Sequence, residues 1–279
     1  MVGRLLRLGT RDLSALLIYI IAPVVVFITV VESPADWTYF AFSIASFLTA
    51  STAAMLAYAL GKWLWGDARA NLYGFAGGDG NTGYFGLPIA FALFNPEQVA
   101  MAVFIMIGVN IYTFTVGYFI SAKGVMDTRQ SLRGIVRMPL LYAALLGVAC
   151  KTFDISISPI ILTSLDNFKG AFSILGMMVI GISLATFQKL EVDWKFLFWC
   201  LGWKHIIYPG LGVAFFAFVV PVPPELLVII VLMLSTPMAS NTVVIASHLG
   251  VHPERAALAV MTSTLVAALT VPLTIMWLG

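Results

Sequence analysis

Charge is scarce in this 279-residue chain: Lys, Arg, Asp and Glu make up 10% of it, against 61% hydrophobic residues. A domain surrounded by water needs more polar surface than that, so a soluble globular fold is excluded and an integral membrane protein is implied. Cysteine is nearly missing as well. Cys150 and Cys200 both fall in apolar segments, without metal-ligand or CxxC spacing, and read as small core residues. His248 and His252 flank a turn and have no third ligand at metal spacing. No GxSxG, HExxH, GxxxxGK or paired-Asp motif occurs. The chain therefore reads as a non-enzyme without cofactor or metal, and without an ATP-binding motif. Nor is there a long polar link, since none exceeds the stretch from Lys123 to Gly134. One membrane domain over residues 1–279 is expected, with no nucleic-acid partner.

The apolar segments that remain are long. Nine of about 20 residues or more fall near 13–31, 37–61, 70–94, 98–122, 135–153, 158–188, 194–219, 225–248 and 255–278, each enough to cross a bilayer as a helix. Arg4, Arg7 and Arg11 precede the first, as in a signal peptide, but no small-x-small cleavage site follows, so it reads as a retained span. When Lys and Arg are assigned to alternating sides, twelve fall with the N-terminus (Arg4, Arg7, Arg11, Lys62, Arg69, Lys123, Arg129, Arg133, Arg137, Lys189, Lys195 and Arg255), while Lys151 falls opposite. The positive-inside rule then puts the chain in the cell's inner (plasma) membrane with its N-terminus cytoplasmic and its C-terminus outside.

An internal repeat recurs at a constant offset of 157 residues: Asp36-Trp37 returns as Asp193-Trp194, and Pro96-Glu97 as Pro253-Glu254, with Ala100, Ala102 and Val103 matching Ala257, Ala259 and Val260. The offset skips an odd number of spans, so the copies lie in opposite orientations, as in many secondary transporters. The expected fold is all-α, with an inverted repeat of four plus five helices over 11–122 and 135–279. The counterpart of span 135–153 would fall about 22 residues before Met1, so the first copy lacks its leading helix.

Both copies interrupt the same helix. Six glycines between Gly74 and Gly86 cost roughly 1 kcal/mol each relative to Ala in a helix interior, and the offset maps Gly80 onto Pro237. Glycine permits positive φ, while proline removes a donor; either gives a break. A break within lipid leaves backbone groups costing several kcal/mol apiece unless something satisfies them, which makes it a binding-site candidate. Half-helix N-termini carry about half a positive charge and suit a carboxylate. Asn81, Thr82, Ser240, Asn241 and Thr242 surround the breaks with neutral donors and acceptors, either as a site or to repair the broken backbone, and Asn110 in its own span either faces the same cavity or makes a helix–helix hydrogen bond. Asp79 is the costly residue, a carboxylate inside a span. It reads either as a coupling site for H⁺ or Na⁺ or as a cap held by glycine N–H groups. Lys204 and His205 lie in the seventh span, where a buried cation either attracts the anion or pairs with a carboxylate elsewhere, the latter being the plainer role. Asp166 and Lys169 read as span-end residues, solvated or snorkelling.

Two stretches, Gly80-Asn81-Thr82-Gly83-Tyr84-Phe85-Gly86-Leu87-Pro88 and Ser235-Thr236-Pro237-Met238-Ala239-Ser240-Asn241 through Val251-His252-Pro253-Glu254, resemble the auxin efflux carrier family. That family includes plant PIN-type auxin carriers and bacterial malonate or malate carriers, and is related in fold to bile-acid sodium symporters. The resemblance implies ten spans in two inverted repeats, with the family's first helix missing here and Gly80 standing where PIN-type carriers have proline. It also implies a scaffold made of the first, fifth and sixth spans, a transport domain made of the other six, and helices crossing at Gly80 and Pro237. A carboxylate would bind near the crossover. The function expected is secondary transport of small organic anions, malonate- or malate-like or auxin-like, by alternating access, with H⁺ or Na⁺ as candidate coupling ions and a homodimer compatible with the pattern. A sodium-coupled symporter of the bile-acid type, a receptor or sensor without turnover, and an anion channel are the alternatives.

Overall fold

The computed structural model describes residues 10–32, 39–185, 192–220 and 222–278, and every regular element among them is helical. Arg4, Arg7, Lys189 and the Asp36-Trp37 half of the repeat lie outside the described residues. The first apolar segment is α1 (Thr10–Leu16) and α2 (Ala22–Glu32), joined by a π-helical turn at Leu17–Ile21. Next come α3 (Phe40–Leu64), α4 (Arg69–Gly78), a π turn at Thr82–Gly86 and α5 (Leu87–Leu93). Helix α6 (Pro96–Tyr112) runs through a π turn at Thr113–Gly117 into α7 (Tyr118–Ala122). The remainder is α8 (Thr128–Val136), α9 (Pro139–Thr152), α10 (Pro159–Ala185), α11 (Trp194–Gly202), a π turn at Trp203–Ile207, α12 (Tyr208–Phe218), α13 (Pro224–Leu234), α14 (Ser240–Leu249) and α15 (Pro253–Leu278).

Among the described residues, four helices are long and apolar enough to cross a membrane: Arg11–Glu32, Phe40–Leu64, Glu97–Ala122 and Pro253–Met276. The pair Thr128–Val136 and Pro139–Thr152, bent by 40°, would make a fifth. The bend falls at Met138, where the following proline excludes the α conformation. The polar link expected between Lys123 and Gly134 is itself partly helical, because Asp127 caps Thr128–Val136 by accepting from Gln130 N. The expected spans 70–94 and 225–248 are each divided into two shorter pieces.

Of the four π turns among the described residues, three are followed, two residues on, by a proline: Pro23, Pro88 and Pro209. A proline cannot donate to the carbonyl four residues back and its ring crowds that carbonyl. Widening the preceding turn absorbs both effects while the helix continues. Pro272, inside α15, has no such turn.

The glycines of the first break do a different job from the one their number suggests. Gly74, Gly77 and Gly78 lie inside regular helix α4, and the only left-handed glycine among the described residues is Gly250. Close packing requires them. A methyl group on Gly77 would lie 2.5 Å from Ala57 Cβ, and one on Gly74 would lie 2.7 Å from Tyr58 Cβ. Helix α3 answers with its own small residues, Ala50, Ala53, Ala54 and Ala57, all buried, so α3 and α4 meet backbone to backbone as small-residue membrane helices do. Side-chain donors to neighbouring carbonyls reinforce the bundle: Ser43 Oγ to Phe104 O (2.7 Å), Asn71 Nδ2 to Ile120 O (2.8 Å) and Tyr112 Oη to Phe75 O (2.7 Å).

At one face, Asp193 accepts from Arg69 and Arg255, each at 3.1 Å, and caps α11 through Phe196 N. The starts of α4, α11 and α15 are thereby tied to one carboxylate. Burial pushes this carboxyl up, but the Phe196 N–H and the two guanidiniums outweigh burial, so its pKa lies below the ordinary 3.8. Its contribution is therefore present above the unfolded value and is lost as pH falls through the lowered one. Thermal unfolding of Asp193→Asn against wild type should show a deficit at neutral pH that closes only below pH 3.8; a deficit already gone at higher pH contradicts the tie. Gly77→Ala should cost about 1–3 kcal/mol by forcing α3 from α4, whereas Gly170→Ala, with nothing within 4 Å of the new methyl, should not destabilise. Equal melting temperatures for the two variants would refute the packing account.

Candidate functional site

The two interrupted helices meet at their breaks. Asn81 N donates to Pro237 O at 2.8 Å, a backbone bond between segments far apart in sequence. On the first side, α4 ends at Gly78, Asp79 is extended, and Asn81 accepts from Tyr84 N (3.2 Å) to cap the next turn. On the second side, Thr236 Oγ1 donates to Met233 O (2.9 Å) and Met238 N to Ser263 Oγ (3.0 Å), after which α14 starts at Ser240.

Asp79 is wholly buried. Its carboxylate accepts from Thr113 Oγ1 at 2.7 Å and Thr242 Oγ1 at 2.8 Å, so hydroxyls of two other helical segments hold it, joined by the Gly80 N–H from the glycine cap that the sequence suggested. Thr113 was legible: it follows Asn110 by three residues and so shares its helix face. Lys204, also wholly buried, donates from Nζ to the backbone oxygen of Asp79 at 2.8 Å, rather than to the carboxylate, and lies 4.1 Å from the centre of the Tyr208 ring. His205 Nε2 lies 3.0 Å from Ser263 Oγ and Nδ1 lies 3.3 Å from Thr270 Oγ1.

A cavity of about 430 Å³ opens beside the crossing. Asn81, Thr82, Ser240, Asn241 and Asn110 all line it, together with Gly80, Tyr84, Met106, Phe114, and Val26 and Thr29 of α2. Asp79 and Pro237 are not among its lining residues. Asn241 is 9% exposed, and its Oδ1 has no hydrogen-bond partner. Two lining residues went unrecognised in the sequence, Glu32 and Lys169. Lys169 lies ten residues into α10 and pairs with Glu32 and Asp166, both at 2.7 Å, so it is a cavity residue and not a span-end one. Its depth within a long apolar segment was the available signal. Tyr84 closes the same side, its Oη donating to Lys169 O (3.2 Å) and its ring stacked on Phe172 at 5.8 Å. A second cavity, of about 400 Å³, adjoins the first through Val26, Thr29 and Asn110 and reaches Lys151 and Asp154 between mainly apolar walls.

A sequence profile of the family described as membrane transport protein matches residues 125–275, more than half of the chain. The chain belongs to this family. It is the family of the auxin efflux carriers that the two crossing stretches resemble. An uncharacterized transporter of Methanocaldococcus jannaschii is 28% identical over 194 residues, covering 66% of this chain and 63% of that protein. The chain thus spans less than two thirds of that relative. A protein of Rhizobium meliloti, named as a candidate malonate transporter, is 24% identical over 271 residues, 93% of this chain and 84% of that protein. Both relatives are named as transporters, and the family match together with the long apolar helices makes this chain a multi-pass membrane protein of the membrane transport protein family.

His248, at the end of α14, lies against Tyr19 (3.4 Å), and His252 takes Arg255 Nη1 at 2.8 Å; among the described residues no group of three or more His, Cys, Asp or Glu could hold a metal. For the crossing, the decisive test concerns the carboxylate. Hydrogen bonds to a charged group are worth about 1.5–3 kcal/mol each, so Thr113→Val and Thr242→Val should each lower the melting temperature of the purified membrane transport protein. Because both hydroxyls serve one carboxylate, the double variant should depart from additivity. Unchanged melting in both single variants would mean that Asp79 does not need them.

Proposed function

We propose that this protein is a secondary carrier for small organic anions, carboxylates of malonate-like, malate-like or auxin-like kind, working by alternating access. The observation that carries the reading is the cavity beside the crossed breaks, which gathers Asn81, Thr82, Ser240, Asn241 and Asn110 around one space. The start of α14 contributes N–H groups and the positive end of a helix dipole, and the asparagine amides and hydroxyls add neutral donors. The charged lining residues Glu32 and Lys169 pair with each other. An anion is thus received by dipoles and amides, which hold it without an opposite full charge and release it more readily.

The topology belongs to the same proposal: nine spans in an inverted repeat of four plus five helices, over 11–122 and 135–279, with the N-terminus cytoplasmic. Three observations support it. The segments 70–94 and 225–248 are both interrupted, at points 157 residues apart; those points meet; and Pro96 and Pro253, related by the same offset, each open a helix. The cavity lies between residues of α2 and α10, assigned to the scaffold, and the two breaks, assigned to the moving domain. A carrier that exchanges access needs its site at such a boundary. The adjoining cavity toward Lys151 suits a path to the outer face. The membrane potential alone supplies about 2.3 kcal/mol per 100 mV for each charge moved. A sodium- or proton-coupled cycle is the second reading, favoured by Asp79, whose buried carboxylate is the coupling candidate.

Counterflow in proteoliposomes tests the proposal. Malonate, malate and an indole carboxylate, offered singly against a neutral amide, should include at least one saturable substrate. Asn81→Ala with Asn241→Ala should lower its kcat/KM by about 100-fold, two lost hydrogen bonds to a charged group at about 1.5 kcal/mol each. Intact flux in the double variant would show that the substrate binds elsewhere. Binding without counterflow would favour a sensor, and unsaturable current a channel.

A further inference from the structure

Helix α4 ends inside the protein with its last carbonyls pointing past the break. Two side chains from one π turn, Trp203–Ile207, meet them: Trp203 Nε1 donates to Gly77 O (3.0 Å) and Lys204 Nζ to Asp79 O (2.8 Å). A helix C-terminus carries about half a negative charge, and in carriers with broken helices such ends and their unwound carbonyls are where a monovalent cation sits. The surroundings of Lys204 Nζ have the same chemistry. Besides Asp79 O there is the Asp79 carboxylate on the same residue, the Thr236 hydroxyl and the face of Tyr208. Nζ and Thr236 Oγ1 lie 2.9 and 3.1 Å from one point, the place of a methyl on Gly80. Gly80 thus lacks a side chain because that ammonium and hydroxyl occupy the space. Lys204 is wholly buried and is held from behind by a turn that Pro209 imposes.

We propose that Lys204 is a resident cation: its ammonium permanently fills a monovalent-cation position on the broken end of α4, so the protein needs no Na⁺, and removing the amine turns that position into a site for Na⁺ or a small alkylammonium. Two Thr hydroxyls hold the Asp79 side chain, and the tethered amine sits on the backbone oxygen of the same residue, so the polar groups at the break are partnered without any ion from solution. A sodium ion approaching the same oxygens meets the ammonium first. The consequence for transport rests on the carrier reading above and selects, within it, a cycle not driven by Na⁺; the binding statement stands apart from that reading.

The test uses the full chain purified in detergent. Thermal unfolding is followed in choline chloride, sodium chloride and n-propylammonium chloride at equal ionic strength. Wild type should melt at the same temperature in all three. Lys204→Ala should melt several degrees lower in choline, and Na⁺ or propylammonium should restore at least about half of the loss with a saturable dose dependence. Lys204→Met, which fills the space without charge, should be lowered but not restored. A wild-type protein stabilised by Na⁺ over choline overturns the proposal, and so does a Lys204→Ala protein that neither cation restores. Should Lys204→Ala fail to fold, the wild-type comparison still decides, together with malonate counterflow in which choline replaces Na⁺. That flux should change by less than about twofold, and a drop of about tenfold or more overturns the inference. Absence of malonate flux under every condition would count against the malonate-carrier reading alone, because the melting comparison reads the cation position without it.

Discussion

The hydrogen bond from Asn81 N to Pro237 O is the constraint on which the rest of the site depends. Two helices are interrupted in an apolar interior, where an unmade backbone bond costs several kcal/mol, and this bond lets each break satisfy part of the other. Around it the same accounting continues: Trp203 and Lys204 serve the end of α4, Asn81 caps the turn that follows, and Ser263 takes Met238 N. The interruption is therefore a stiff junction, tied across both breaks by backbone and side chains, and not a slack loop.

Stiffness there has a purpose in a membrane transport protein. With so many backbone groups spoken for, the polarity left over is concentrated on the cavity side, at Asn81, Ser240, Asn241 and Asn110. Asp79 and Lys204 lie behind the wall, wholly buried, while the amides line the space and the lining charges, Glu32 and Lys169, pair with each other. In the carrier proposed above, neutral groups would make the contacts with the substrate. An anion held by dipoles avoids the deep trap that a bare ammonium in the wall would create.

Much of this was legible in the sequence because the repeat offset points to Gly80 and Pro237 without any structure, and the polar residues beside them follow. The glycine run was legible as an anomaly but not as to cause. Count alone suggested unusual backbone angles, whereas Gly74 and Gly77 are needed because Ala57 and Tyr58 of another helix come within van der Waals distance, a property of packing that a linear sequence does not encode. Glu32 and Lys169 escaped for a similar reason: a charge near the end of one segment and a charge within another become a pair only when α2 and α10 are brought together. Lys204 was expected to find a carboxylate, and its partner is the carbonyl of the residue that carries one. A backbone oxygen has no sequence signature.

The proline-linked π turns carry a consequence of another kind. In an α-helix each residue turns the chain by about 100°, so one residue added within a turn changes which side of everything downstream faces a given neighbour. The turns ending before Pro88 and Pro209 therefore act as phase shifts, setting the bearing of α5 relative to Tyr84 and of α12 relative to Lys204. Variation in such segments is constrained by residue count as much as by residue type. Deleting Ile206 from the turn Trp203–Ile207 would leave Lys204 in the chain and still swing Tyr208 and the rest of α12 by about 100° relative to it.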